Sequence, residues 1–231
     1  MGAAASVLIS SIITKALYKL RDPNGYNYNK DGAYAEMLGY VNECNELIYE
    51  ILTDEFSELV GGGTGTITTV AGTQSYDLSS NSMGDFWLPK RLKNDTYAVW
   101  ISEYEPMQMC TEMDTYEAIN ANEGSSTSRS MPERFCIIGD YLWFEEVPDD
   151  AYTVNLRYFP NFVAASAVTA AMPYKNLFNN EVIQGVVLLA KHRNELNVQV
   201  DAVLKDIFYD RAMRIMRKRR KTTARIVPRL R

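Results

Sequence analysis

The chain has 231 residues, of which 46% are hydrophobic and 23% charged, and its formal net charge is −5. This composition is ordinary for a soluble protein, and the length is enough for one large domain or a core with a sizeable insertion. The three cysteines, Cys44, Cys110 and Cys136, lack metal-ligand spacing, and their odd number argues against a disulfide framework. They are typical of a protein made in a reducing cytoplasm.

The first part of the chain predicts two helices joined by a turn. Residues 6–20 carry apolar side chains at helical spacing, and Lys15 and Lys19 interrupt them, which favours an amphipathic helix over a signal peptide or a membrane span. The turn cluster Asp22-Pro23-Asn24-Gly25 ends this helix. Asp31 is the expected N-cap of a second, strongly acidic helix that continues to Leu59. We expect no contact with a membrane.

A glycine-rich stretch and several short β-type runs follow. Gly61-Gly62-Gly63-Thr64-Gly65 lacks the lysine of a phosphate-binding loop and follows a helix, so we interpret it as a flexible hinge. Residues 64–70, 76–78, 88–92 and 96–102 are expected to form strands. Residues 111–121 predict a short helix, and the polar residues 123–130 predict a surface loop.

Residues 131–162 carry the clearest β pattern. The run 135–138, the turn Gly139-Asp140 and the run 141–144 predict a hairpin, with Trp143 and Phe144 on opposite sides. After the turn Val147-Pro148-Asp149-Asp150, residues 153–158 alternate, with Val154, Leu156 and Tyr158 on one side. We therefore predict a three-stranded antiparallel meander with one buried face.

The chain ends as it begins, in helices. Residues 181–191 are apolar nearly all round and predict the most buried helix, and residues 198–216 repeat the helical period. The predicted fold class is α+β, a helical bundle built from N- and C-terminal helices with an inserted antiparallel β domain. The expected domains are residues 1–63 with 163–221 for the bundle and 64–162 for the insertion, followed by an extended basic tail at 222–231.

Residues that could perform chemistry are sparse. His192 is the sole histidine, and no nucleophile, base and acid can be grouped around it. Glu145-Glu146 and Asp149-Asp150 could serve a hydrolase, but a solvated turn explains them equally. We expect no catalytic residue, cofactor or metal.

The C-terminal charge is the strongest electrostatic feature. From Arg211 onward there are eight Arg, two Lys and no acid, so the rest of the chain is strongly acidic. Docking onto another protein is our first interpretation, DNA-phosphate contact the second, and simple compensation of the helix dipole the third. The residues expected to contact a partner are Arg214, Arg217, Lys218, Arg219, Arg220, Lys221, Arg225, Ile226, Val227 and Arg229.

The order of these segments resembles the head-to-tail adaptor proteins of tailed bacteriophages. The resemblance rests on the Gly72-Thr73-Gln74-Ser75-Tyr76-Asp77-Leu78 segment and on the aromatic, Gly-Asp, aromatic, Pro-turn and Arg-Tyr-Phe-Pro sequence of residues 131–162. It extends over nearly the whole chain.

This resemblance implies a structural virion protein, made in the host bacterial cytoplasm, that forms a ring of about twelve copies beneath the portal. It implies contacts with the portal protein, with the next tail or ring protein and with further copies of itself, while double-stranded DNA passes through the lumen. The main alternative is a nucleic-acid-binding protein that uses the basic C-terminal helix, and a cell-wall hydrolase is a third.

Overall fold

The computed structural model describes residues 7–28, 34–79, 83, 86–90, 98–102, 104–110, 129–192 and 198–224. The chain divides into two compact units, one made of Met1–Val60 with Phe162–Arg231 and the other of Gly61–Asn161. Helices at both ends flank a β region, so the predicted α+β class is confirmed.

The described part of the first unit, here called the helical unit, contains four α-helices. They are α1 (Ile9–Lys19), α2 (Ala35–Glu55), α3 (Asn179–His192) and α4 (Val198–Ala224). α3 packs against the other three helices, and α2 also packs against α4. The buried residues recur at helical spacing, as in α1 with Ile9, Ile12, Ile13, Ala16 and Leu17.

The predicted end of the second helix differs from the structure. α2 ends at Glu55, before the predicted Leu59, because the chain tightens into a 3₁₀ turn at Ser57–Leu59. Asp31, the predicted N-cap, lies outside the described residues. In α3, which the sequence predicts to be the most buried helix, Val182 and Val186 are buried and Val187 and Leu188 are half-buried.

Backbone hydrogen bonds join an irregular segment, residues 162–178, to the N-terminal part of the helical unit. The Ile9 N–H donates to the Ala170 carbonyl at 2.9 Å, and the Met172 N–H donates to the Val7 carbonyl at 2.8 Å. These bonds satisfy groups at the start of α1 that have no partner within the helix. The segment is therefore held in place although its regular structure is limited to a 3₁₀ turn at Tyr174–Asn176 and an isolated bridge between Ala171 and Leu8.

The second unit, here called the β unit, contains two four-stranded sheets among its described residues. Its strands are β1 (Gly63–Thr68), β2 (Ser75–Asp77), β3 (Phe86–Pro89), β4 (Val99–Ile101), β5 (Gln108–Met109), β6 (Arg134–Ile138), β7 (Tyr141–Phe144) and β8 (Thr153–Pro160). In the first sheet, β8 is central and pairs antiparallel with β1, β3 and β4. The second has the order β2-β7-β6-β5, and its β5–β6 pair is parallel, so the predicted insertion is not wholly antiparallel.

The predicted meander is only partly correct. β6 and β7 form the expected hairpin, and Gly139 in its turn has a positive φ of 58°. The third strand, β8, belongs to the other sheet. β7 is already paired with β2 and β6, so it offers β8 no free edge. The predicted side-chain alternation is confirmed, since Val154, Leu156 and Tyr158 are all buried.

The glycine-rich stretch is partly a paired strand, so its interpretation as a flexible hinge is wrong for Gly63 and Gly65. A Cβ at Gly63 would lie 2.6 Å from Cζ of Tyr158, and one at Gly65 would lie 2.1 Å from Sδ of Met83. Glycine is therefore needed here for close packing across the strand, as is common where a backbone is approached closely. The predicted helix at 111–121 lies outside the described residues.

Candidate partner-binding surface

The C-terminal helix α4 is amphipathic. Its buried positions are Leu204, Phe208, Ala212, Ile215 and Met216, which recur every three or four residues and so share one side. This side anchors the helix in its unit. The exposed positions of the helix carry mostly charged residues, together with Val203 and Tyr209.

Arg214, Arg217 and Lys218 are exposed on α4 at i, i+3 and i+4, and therefore lie next to one another. Nη2 of Arg214 is 3.7 Å from Oδ2 of Asp210, with both side chains more than 70% exposed. An ion pair this exposed contributes about 0–1 kcal/mol, so it leaves the guanidinium available to a partner.

The other predicted binding residues fall into two groups. Arg219, Arg220 and Lys221 continue α4, whereas Arg225, Ile226, Val227 and Arg229 lie outside the described residues. The predicted boundary at residue 222 is wrong, because α4 continues to Ala224. Residues 222–224 contain no glycine or proline to end the helix, and the first proline comes at Pro228.

Arg211, the first residue of the basic run, has a structural role. Its Nε donates a hydrogen bond to the Leu177 carbonyl at 2.9 Å and lies 3.4 Å from Oε1 of Glu181. The side chain thus joins α4 to the start of α3. The candidate surface therefore begins at Arg214.

The acidic residues of the helical unit concentrate on α2. Its exposed acids include Glu36, Glu43, Glu46, Glu50 and Asp54, and α2 contains no Lys or Arg. Partial burial raises the pKa of Glu43, and the nearby carboxylates of Asp201 and Glu46 raise it further. The unit therefore combines an acidic helix with a basic helix end.

The carboxylates that could suggest a hydrolase serve the local fold instead. Oε2 of Glu146 accepts the Glu133 N–H at 3.1 Å, and Oδ1 of Asp149 accepts the Tyr152 hydroxyl at 2.7 Å. Oδ1 of Asp150 accepts the Ala151 N–H at 2.7 Å. This hydrogen bonding fits the turn interpretation.

Across the described residues, no three His, Cys, Asp or Glu side chains come together as metal ligands. None of the described helices combines the length and apolar character that crossing a bilayer requires.

A groove of about 360 Å³ in the β unit was missed by sequence reasoning. It is lined by Ile101, Tyr104, Glu105, Pro106, Met107, Gln108, Met131, Pro132, Glu133 and Arg134. Two segments separated by more than twenty residues form it, and neither carries a recognisable motif. The groove could have been predicted only if the sequence showed that β5 pairs with β6.

The fold and this surface define a two-unit α+β protein whose helical unit ends in a basic helix. One protein family, described as SU10 adaptor protein, matches residues 8–229, which is nearly the whole chain. The chain therefore belongs to this family of phage adaptor proteins, and the resemblance to head-to-tail adaptors is confirmed. Membership implies a virion component that works with portal and tail proteins. No curated protein matches the sequence.

Proposed function

We propose that this protein is a structural head-to-tail adaptor that forms a ring beneath the portal and connects the capsid vertex to the tail. The observation that carries the proposal is the family match across residues 8–229. A ring of about twelve copies requires a head-to-tail contact that closes on itself. The protein is made in the host bacterial cytoplasm, and it acts by binding and not by catalysis.

The basic end of α4 is the portal-binding part in this proposal, together with residues 225–231. Support comes from the exposed neighbours Arg214, Arg217 and Lys218, which are held on a helix anchored by Ile215 and Met216. A rigid charged helix loses little conformational entropy on binding. The apolar Ile226 and Val227 would then add desolvated contacts within a charged segment. The next tail or ring protein binds elsewhere on the ring.

DNA passage is supported by the charge of α2. A surface that carries many carboxylates and no Lys or Arg repels a DNA duplex, so DNA can move past it without being held. Lining of the lumen by α2 is part of the proposal.

The second candidate function is binding of nucleic acid by α4. The i, i+3, i+4 placement of Arg214, Arg217 and Lys218 favours it, since such a row neutralises backbone phosphates without reading sequence.

A double charge reversal, Arg214→Glu with Arg217→Glu, separates the two functions. The matched control is Lys15→Glu with Lys19→Glu, which makes the same charge change at exposed positions of α1. DNA-free, portal-bearing particles are mixed with each full-length variant, and co-sedimentation measures recruitment. Loss of recruitment by the α4 variant alone supports portal docking. Normal recruitment with weaker, less salt-dependent DNA binding would instead support the nucleic-acid function.

A further inference from the structure

Cys110 directly follows β5, one step beyond the last paired residues of the parallel β5–β6 ladder, and Cys136 lies at the corresponding step of β6. The Gln108 N–H donates to the Glu133 carbonyl at 3.1 Å, and the Cys110 N–H donates to the Phe135 carbonyl at 2.8 Å. Both bonds continue one parallel ladder, in which Gln108 pairs with Arg134 and Met109 with Phe135. The next pair in this register is Cys110 with Cys136.

Paired positions suit a disulfide bond. Neighbouring strands are about 4.8 Å apart, and disulfides join Cα atoms separated by about 4.4–6.8 Å. Paired residues also direct their side chains to the same side of a sheet. All three cysteines of the chain are present as thiols, and Cys44 belongs to α2 of the helical unit.

We propose that Cys110 and Cys136 form a reversible intramolecular disulfide when the protein meets an oxidising, small-molecule disulfide. Cys110 is the half-buried member and Cys136 is 2% exposed, so the Cys110 thiolate attacks first. This attack forms a mixed disulfide and releases one small thiol. Cys136 then loses its proton to solvent and attacks the Cys110 sulfur, which releases the second small thiol and leaves the internal bond.

The bond would act on the edge of the second sheet. β5 is two residues long and lies at the end of the order β2-β7-β6-β5, with Met109 41% exposed. A covalent link directly after so short a strand holds it against β6. Its timing rests on the proposed function, since a virion component leaves a reducing cytoplasm for an oxidising medium at release.

The test treats the full-length protein with glutathione disulfide, blocks the remaining thiols by alkylation after denaturation, and measures intact mass and a peptide map. We expect the protein to lose two hydrogens, to accept one alkyl group, at Cys44, and to yield a cross-linked peptide pair containing Cys110 and Cys136. A thiol reductant should restore three alkylation sites. Cys110→Ser should abolish the cross-link, while the control Cys44→Ala should retain it.

Three outcomes would overturn the proposal. They are three alkylated cysteines after oxidation, a persistent glutathione adduct on Cys110 in the parent protein, and a disulfide between two chains in place of the internal one. None of these readouts measures adaptor activity, so they can fail while the proposed function stands.

Discussion

The side-chain amide of Asn42 exchanges two hydrogen bonds with the backbone of Ala165. Nδ2 of Asn42 donates to the Ala165 carbonyl, and the Ala165 N–H donates to Oδ1 of Asn42, both at 3.0 Å. One residue of α2 thus satisfies both backbone groups of a residue in the irregular 162–178 segment. Backbone groups outside regular structure need such partners when water is partly excluded.

Asn42→Ala should lower the free energy of unfolding by about 1–3 kcal/mol, because two partly buried backbone groups lose their partner. Urea denaturation measures the change. Asn155→Ala is the control, since its bond to Oγ of Ser102 is exposed and its loss should cost less. Equal losses for the two variants would contradict a special role for Asn42.

Adjacent residues of β7 should differ strongly in their contribution to stability. Phe144 is fully buried in the β core, whereas Trp143 is half-buried on the other side. Phe144→Ala should cost about 3–5 kcal/mol through lost burial and the cavity left behind, and Trp143→Ala should cost less. Thermal and urea unfolding of both variants check this, and similar small losses would contradict the assigned faces.

Replacing two helical glycines, Gly39 and Gly185, by alanine should change the stability of the protein in opposite directions. Gly39 is exposed in α2 and an added Cβ would meet nothing within 4 Å, so Gly39→Ala should stabilise by about 0.5–1 kcal/mol. At Gly185 in α3, the Cβ would lie 2.6 Å from the Cys44 sulfur and 3.2 Å from Leu204. Gly185→Ala should destabilise despite its better helix propensity, because overpacking typically costs about 1–3 kcal/mol. A stabilised Gly185→Ala variant would show that the contact relaxes easily.

The raised pKa of Glu43 predicts a pH-dependent stability. The folded state holds this proton more tightly than the unfolded state, so the free energy of unfolding falls as the pH rises from 4.5 through the folded pKa. Glu43→Gln cannot ionise and should be more stable than the parent at neutral pH, with the advantage lost below pH 4.5.

Urea denaturation at both pH values measures the effect of Glu43→Gln. Added salt should reduce the difference at neutral pH, because Asp201 and Glu46 act on Glu43 through charge. If Glu43→Gln is less stable than the parent at neutral pH, the expected destabilising repulsion of Glu43 by Asp201 and Glu46 is refuted.

The sequence predicted the positions of helices and strands better than it predicted which strands pair with each other. Alternation in residues 153–158 identified the buried face of β8, but alternation is the same whichever strand lies alongside. The pairing of β8 with β1 therefore required the structure. Likewise, Gly63 and Gly65 looked flexible because the sequence does not show Tyr158 and Met83 packed against them.

The candidate partner-binding surface could likewise be predicted only in part from the sequence. A charge run is visible in sequence, so the exposed Arg214 and Arg217 could be predicted. The structural role of Arg211 could not, since its acceptor at Leu177 lies 34 positions away. The pairing of Cys110 with Cys136 depends on strand register, which spacing alone does not reveal.

The most direct test of ring formation on the portal is electron microscopy of purified portal rings mixed with the full-length protein. Cutting the chain after Ala224 gives the matched variant, because it retains every described helix. We expect an added ring of density, with the portal's symmetry, on one face of the portal for the full-length protein. For the shortened chain we expect weaker or absent density. Bare portal rings in the presence of folded full-length protein would contradict ring formation on the portal.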